Sequence, residues 1–243
     1  MTESIKYNLS ISKDKLSELP VVNFSGQISV IDNEESAKSA EISHAEANAM
    51  PFFNQIAKKK EPVVIVPEKE CGKVQVIALG ISTGGPNALR EVFAKIDPNL
   101  TQPILVVQHM PAGFTAEFAN SLNQICPLEV KEAKDGDLLK PGRILIAPGS
   151  MHMYVEKRSL ATIVRLSDAP LCNGHRPSVD VLFESVAKCF QNRALGVIMT
   201  GMGKDGAAQL AEMRREGAWT LGQDEESSIV YGMPKVAYEY GGV

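Results

Sequence analysis

From Val74 onward the sequence predicts an α/β domain, a doubly wound and mostly parallel sheet with helices on both faces and an antiparallel hairpin. Three observations carry that expectation. Short apolar runs such as VQVIAL, PILVV, RILIA and ALGVIM have the length and composition of strands buried on both faces. Segments with apolar residues at helical spacing alternate with them. Clusters of Gly, Pro and Asp punctuate the joins.

Taken in order, residues 74–79 read as a strand, and residues 87–96 as a helix burying Ala88, Leu89, Val92 and Ile96. Pro86 suits the first turn of that helix, because it lacks an N–H that would be unpaired there anyway. Residues 103–107 form the next strand, ending at Gln108, His109, Met110 and Pro111. Residues 115–125 follow as a helix with Phe118, Leu122 and Ile125 on one face. Strands are expected at 128–133 and 143–147, separated by the turn residues Asp135, Gly136 and Asp137. Residues 153–156 and 161–166 flank a turn and suggest the hairpin. The pattern closes with a helix over 178–190, a strand over 194–199, a helix over 207–216 and a strand over 219–223.

Residues 1–70 differ from the rest and are expected to form a flexible or weakly structured linker, leaving 71–243 as the folded domain. Residues 6–12 and 21–31 show only weak strand-like alternation. EESAKSAEISHAEANA, residues 34–49, has almost no large apolar side chain to bury. The charge run Lys58 to Lys60 reads as solvated surface.

At 243 residues the chain can bury a substantial core, and a net charge of −4 provides no overall attraction to nucleic acid or to an anionic membrane. Cys71, Cys126, Cys172 and Cys189 include no C-x-x-C pair, so neither a zinc site nor a disulfide framework is indicated. The N-terminus carries no apolar signal region, and no run approaches membrane-spanning length. The expectation is a reduced, cytoplasmic protein with no membrane insertion.

In open α/β sheets, chemistry gathers at the carboxyl ends of the strands. Three polar side chains stand there or in the loops that follow: Ser82, His109 and Asp205. Gly80, Ser82 and Gly84 match G-x-S-x-G, the spacing of a tight strand-to-helix turn that exposes a serine hydroxyl. A plainer reading makes Ser82 or Thr83 a cap of the following helix. A serine needs an imidazole to accept its proton, and the imidazole needs a carboxylate to fix its tautomer. His152 and His175 compete with His109 as loop candidates for the base, whereas His44 lies in the linker. A rival reading starts from GMGKDG, residues 201–206. This fits G-x-G-x-x-G, and with Asp224 and Glu225 at the next strand end it describes a dinucleotide-binding dehydrogenase that would take NAD or NADP.

Longer passages separate these readings. GISTGGPNAL (80–89), QHMPAGFTAEFANSLN (108–123), KPGRILIAPGSMHM (140–153), HRPSVDVLFESVA (175–187), GVIMTGMGKDGAAQLAEMRREGAWTLGQDE (196–225) and VYGMPKVA (230–237) run in one order across the domain. In these passages the chain resembles the catalytic domain of the chemotaxis protein-glutamate methylesterases, the CheB family. The resemblance implies Ser82 as nucleophile, His109 as base and Asp205 as the orienting acid, with no metal or organic cofactor. It implies supporting roles for Met202, through its backbone N–H at an oxyanion, and for Thr83 and His175 as hydrogen-bonding groups. The implied reaction is hydrolysis of glutamate γ-methyl esters on the cytoplasmic helices of methyl-accepting chemoreceptors, releasing methanol, with deamidation of receptor glutamines as a second activity. A non-catalytic receptor-binding module on the same fold is the further alternative. Family members usually begin with a receiver domain marked by an acidic pair at the end of an early strand. Ile31, Asp32 and Asn33 come nearest to it here, so no receiver domain is recognisable: either the protein is receiver-free or the chain is a fragment that keeps the linker. Relatives also generally continue past the position of Val243.

Overall fold

The computed structural model describes residues 62–243, so the strand-like stretches and all of the linker read at 1–70 except residues 62–70 lie outside the described residues. Six strands form one sheet: β1 (Val76–Ile81), β2 (Ile104–Gln108), β3 (Glu129–Glu132), β4 (Arg143–Ile146), β7 (Ala194–Ile198) and β8 (Trp219–Gly222). Their spatial order is β3-β4-β2-β1-β7-β8, and every neighbouring pair is parallel. Between β4 and β7 the chain makes the expected antiparallel hairpin, β5 (His152–Lys157) with β6 (Thr162–Ser167). The doubly wound parallel architecture read from the apolar runs is therefore present.

Helices α1 (Gly85–Phe93) and α2 (Thr115–Asn123) cover one face of the sheet, while α3 (Val179–Phe190), α4 (Ala207–Arg215) and α5 (Met233–Glu239) cover the other together with the hairpin. Side chains alternate across β1 accordingly. Ile77, Leu79 and Ile81 pack with Leu89, Val92 and Phe118, whereas Val76 and Ala78 pack with Leu182, Phe183 and Val186. All six residues of β1 are buried, which is why the strand reads as an unbroken apolar run.

β1 and β7 are central and adjacent, yet the chain leaves β1 toward β2 and leaves β7 toward β8 on the opposite side. The crevice outside their carboxyl ends is thus the topological switch point, where ligands bind in open α/β sheets. Ser82 follows β1, His109 follows β2, and the loop carrying Met202 and Asp205 follows β7. The segment before β1 is tied to this body: Val63 donates to the Glu239 carbonyl at 3.2 Å, Glu68 to the Arg215 carbonyl at 2.8 Å, and Lys69 Nζ to Glu216 Oε2 at 3.0 Å.

Element limits differ from the sequence reading by up to three residues, the most at the end of α1, and α5 is not among the helices expected from the sequence. Only seven residues long, it opens on Gly232, Met233 and Pro234, a combination that signals a turn as strongly as a helix start. Tertiary contact holds it, since Met233, Pro234 and Ala237 are buried.

Candidate active site

Ser82 occupies the turn between β1 and α1. Its backbone N–H donates to the Thr200 carbonyl at 3.0 Å, binding the turn to the end of β7, and its carbonyl accepts the Gly85 N–H at 2.8 Å. Helix α1 begins without a side-chain cap, its N-cap position being Gly84. The hydroxyl of Ser82 is turned instead toward His109, with Oγ 3.1 Å from Nδ1.

The other ring nitrogen, Nε2, lies 2.8 Å from Asp205 Oδ2. With its proton on Nε2 and shared with the carboxylate, His109 presents the Nδ1 lone pair to the serine hydroxyl. The two nitrogens exchange the roles they have in serine proteases, where Nε2 serves the serine and Nδ1 the carboxylate. The chemistry is unchanged, because either nitrogen accepts a proton once the other is held as a donor. The histidine side chain is 9% exposed and that of Asp205 1%, so the pair is screened from water while Ser82 keeps partial exposure.

Asp205 is held by five donors. Oδ2 accepts from His109 Nε2 and the Val179 N–H; Oδ1 accepts from Ser178 Oγ at 2.7 Å, Asn173 Nδ2 at 3.0 Å and the Asp180 N–H at 3.2 Å. Two of these donors are the first backbone amides of α3, which otherwise has no side-chain cap. A helix N-terminus offers unpaired N–H groups and partial positive charge, so it favours an ionised carboxylate there. Burial pushes the Asp205 carboxyl up, but the hydrogen bonds from His109, Asn173, Ser178 and the Val179 amide outweigh it and hold the group down at about 2.

Close approach of α3 to the sheet depends on two glycines. A Cβ on Gly80 would stand 2.3 Å from Val179 Cγ1, and one on Gly206 would stand 2.4 Å from the same atom. The first glycine of G-x-S-x-G thus makes room for the helix that holds the acid, a purpose the motif alone does not reveal.

His175 lies flat on His109, with ring centroids 3.8 Å apart and planes 8° from parallel. Desolvation by burial lowers its basicity, the neighbouring His109 lowers it further, and Asp205 pulls the other way; the net shift is downward. The ring is delivered by a tight turn. Cys172 and His175 exchange backbone hydrogen bonds at 2.9 and 3.1 Å, with Asn173 and Gly174 between them at positive φ. His152 is buried at the start of β5, where Nε2 faces the Pro170 carbonyl at 3.0 Å and Nδ1 accepts the Ser178 N–H at 3.2 Å. It supports the residue that supports Asp205. Thr83 is exposed and joins the site through its carbonyl, which accepts Thr200 Oγ1 at 2.9 Å.

Sequence reasoning did not single out Ser178, Asn173, Asp180 or His152 as neighbours of the acid. Two signals were present: a serine directly before a helix and the Asn173-Gly174 pair, which favours tight two-residue turns. Neither indicates that both side chains converge on a carboxylate far along the chain.

Cys172, Asp180 and Asp205 bring one potential metal-ligand atom each within 4.8 Å of one another. The Asp205 oxygens are occupied by the donors above, while Asp180 accepts from Asn173 Nδ2 and from the Gln209 N–H. This is a hydrogen-bonded cluster rather than an open coordination shell. In the dinucleotide reading Asp205 would be a bystander and Asp224 would hold a ribose. Here Asp205 faces the imidazole, and Asp224 Oδ1 accepts the Ser227 N–H and hydroxyl at 2.9 and 2.5 Å.

A family model described as CheB methylesterase matches residues 77–243. The protein-glutamate methylesterase/protein-glutamine glutaminase of Treponema denticola is 68% identical over 177 residues, covering 73% of this chain and 48% of that protein. Its counterpart in Treponema pallidum is 64% identical over 179 residues, covering 74% of this chain and 44% of that protein. The crystal structure of the Thermotoga maritima CheB methylesterase catalytic domain matches with a TM-score of 0.67 at 35% identity, over 71% of this chain and 91% of the solved one. The chain spans just under half the length of these two curated relatives. Its match over nearly all of the described fold means that the chain belongs to the CheB methylesterase family.

Proposed function

We propose that this chain hydrolyses glutamate γ-methyl esters on the cytoplasmic helices of methyl-accepting chemoreceptors, releasing methanol, and deamidates glutamines on the same helices. The observation that carries the reading is the connected line from Ser82 Oγ through His109 to Asp205, at 3.1 and 2.8 Å. The substrate comes from the relatives, named protein-glutamate methylesterase/protein-glutamine glutaminase, and from the family resemblance.

Ser82 Oγ attacks the ester carbonyl carbon while His109 Nδ1 takes the hydroxyl proton. Asp205, already ionised, balances the imidazolium. The Met202 N–H, which has no acceptor among the described residues, serves the developing oxyanion. Its peptide follows Gly201, where a Cβ would fall 2.8 Å from Ser82 Cβ. The intermediate collapses as His109 protonates the departing methoxide oxygen. Water, deprotonated by the same nitrogen, then cleaves the glutamyl-serine ester and restores Ser82. With glutamine the steps are the same and ammonia leaves.

The test is methanol release from a methylated chemoreceptor fragment, comparing this protein with Ser82→Ala. Release by the parent and not the variant supports ester hydrolysis through Ser82. Equal release by both would remove the serine from the reaction, and none from folded parent protein would point to a different substrate.

A further inference from the structure

Gln108 ends β2 immediately before His109 and is 2% exposed. Its amide nitrogen donates to the Ser82 carbonyl at 3.0 Å and to the His109 carbonyl at 3.2 Å. One side chain therefore grips the backbone of both the serine and the imidazole. Among the described residues the other backbone bond between these two loops is the His109 N–H on the Ile81 carbonyl at 3.2 Å, whereas the Ser82 peptide is otherwise tied to Thr200 and, within its own turn, to Gly85.

The far side of the same amide is poorly served. Gln108 Oε1 is buried and has no hydrogen-bond partner among the described residues. It occupies space that a side chain on Gly85 would need, since a Cβ there would lie 1.9 Å from the oxygen. A buried acceptor left unpaired is destabilising and offsets part of what the two donated hydrogen bonds contribute. Local energetic cost of this kind collects where function requires it.

We propose that Gln108 is a positioning residue: its amide fixes the Ser82 peptide against the His109 peptide, so that Oγ meets Nδ1 in reactive geometry. The inference rests on the Ser82–His109–Asp205 reading above. The amide touches neither reacting atom. It acts through the backbone on both, and misplacement of a reacting pair by about 1 Å slows reactions about a hundredfold.

Gln108→Met keeps the length of the side chain and removes both donors and the orphan acceptor. The measurement is the rate at which a fluorophosphonate labels Ser82, a reaction in which the serine oxygen bonds phosphorus, fluoride leaves and His109 takes the proton. The expected result, read on the folded protein whatever its thermal midpoint, is labelling and methanol release both slowed about 10- to 100-fold at unchanged KM. A residue with a purely structural role would lower the midpoint and leave the folded fraction as reactive as before. Gly85→Ala, which drives Oε1 from its place while leaving Gln108 intact, is expected to slow labelling similarly. Parental labelling rates in Gln108→Met or in Gly85→Ala overturn the proposal, and so does a Gln108→Met protein that fails to fold. If the parent itself is not labelled at Ser82, the triad reading fails and this proposal falls with it.

Discussion

Val179 donates its backbone N–H to Asp205 Oδ2 at 2.7 Å, and the same oxygen lies 2.8 Å from His109 Nε2. The first turn of α3 and the His109 imidazole therefore share one carboxylate. The arrangement is reciprocal, because Asp180 in that turn accepts the Gln209 N–H at the start of α4, the helix that Asp205 precedes. Each helix start is closed by an acid from the other. Loss of the Asp205 carboxylate should consequently affect reaction rate and folding together.

Asp205→Asn tests that coupling. The amide would turn an NH2 toward either the Nε2 proton of His109 or the amides of α3, all donors, so the imidazole loses its tautomer and the helix its acceptor. Turnover should fall by roughly ten-thousand-fold, as for a wrong-tautomer triad. Stability should fall by about 1–3 kcal/mol for the unsatisfied donors. Methanol release and denaturant unfolding measure the two effects. Loss of stability with normal turnover would leave Asp205 as a helix cap only.

The same carboxylate sets a stability limit in acid. Its folded value of about 2 lies below the ordinary 3.8, so the unfolded chain binds the proton first as pH falls. The stabilisation is fully present above pH 3.8 and is lost as pH descends toward 2, amounting to about 2 kcal/mol. Denaturant melts between pH 5 and 2 should show this loss in the parent and not in Asp205→Asn. Parallel curves would mean that other carboxylates dominate acid unfolding.

His175 should give a second pH signature at higher pH. Burial and His109 hold it less basic than an unperturbed imidazole at 6.5. Below that pH the unfolded chain therefore takes up a proton that the folded protein resists, and stability declines as acid is added. His175→Phe keeps a flat ring over His109 but cannot titrate. Its thermal midpoint should fall less steeply than that of the parent below pH 6.5, and equal slopes would refute the assignment.

The strands were legible in the sequence because a sheet covered on both faces leaves few polar interruptions. β1 begins at Val76 rather than at Val74, although Gln75 already donates to the Arg193 carbonyl. Ser82, His109 and Asp205 were legible as strand-end polar residues, and the long motifs ranked them. What could not be read was contact across the chain. His175 looked like a loop residue and instead stacks on His109. His152 looked like another loop candidate and is buried beneath Ser178. Asp205 gave no sign of capping α3, a helix that starts 26 residues earlier, because a cap supplied from elsewhere leaves no local spacing to find.

The clearest test of how α3 holds the acid is a two-residue exchange at Gly80 and Val179. A Cβ on Gly80 would lie 2.3 and 2.8 Å from the two γ-methyls of Val179 but 3.1 Å from its Cβ. Gly80→Ala must push the helix start away from β1, and with it the amides that bind Asp205. Overpacking of this kind costs about 1–3 kcal/mol, and turnover should fall at least tenfold as the carboxylate shifts under His109. Val179→Ala alone removes buried methyls and is expected to lower stability with a smaller effect on rate. In the double variant the new methyl enters the space left by the old ones, so the activity lost through Gly80→Ala should largely return. The double-mutant cycle would then show an interaction of at least about 1 kcal/mol between residues that touch no substrate. Additive losses would mean that the contact between Gly80 and Val179 fills space without setting the position of the acid.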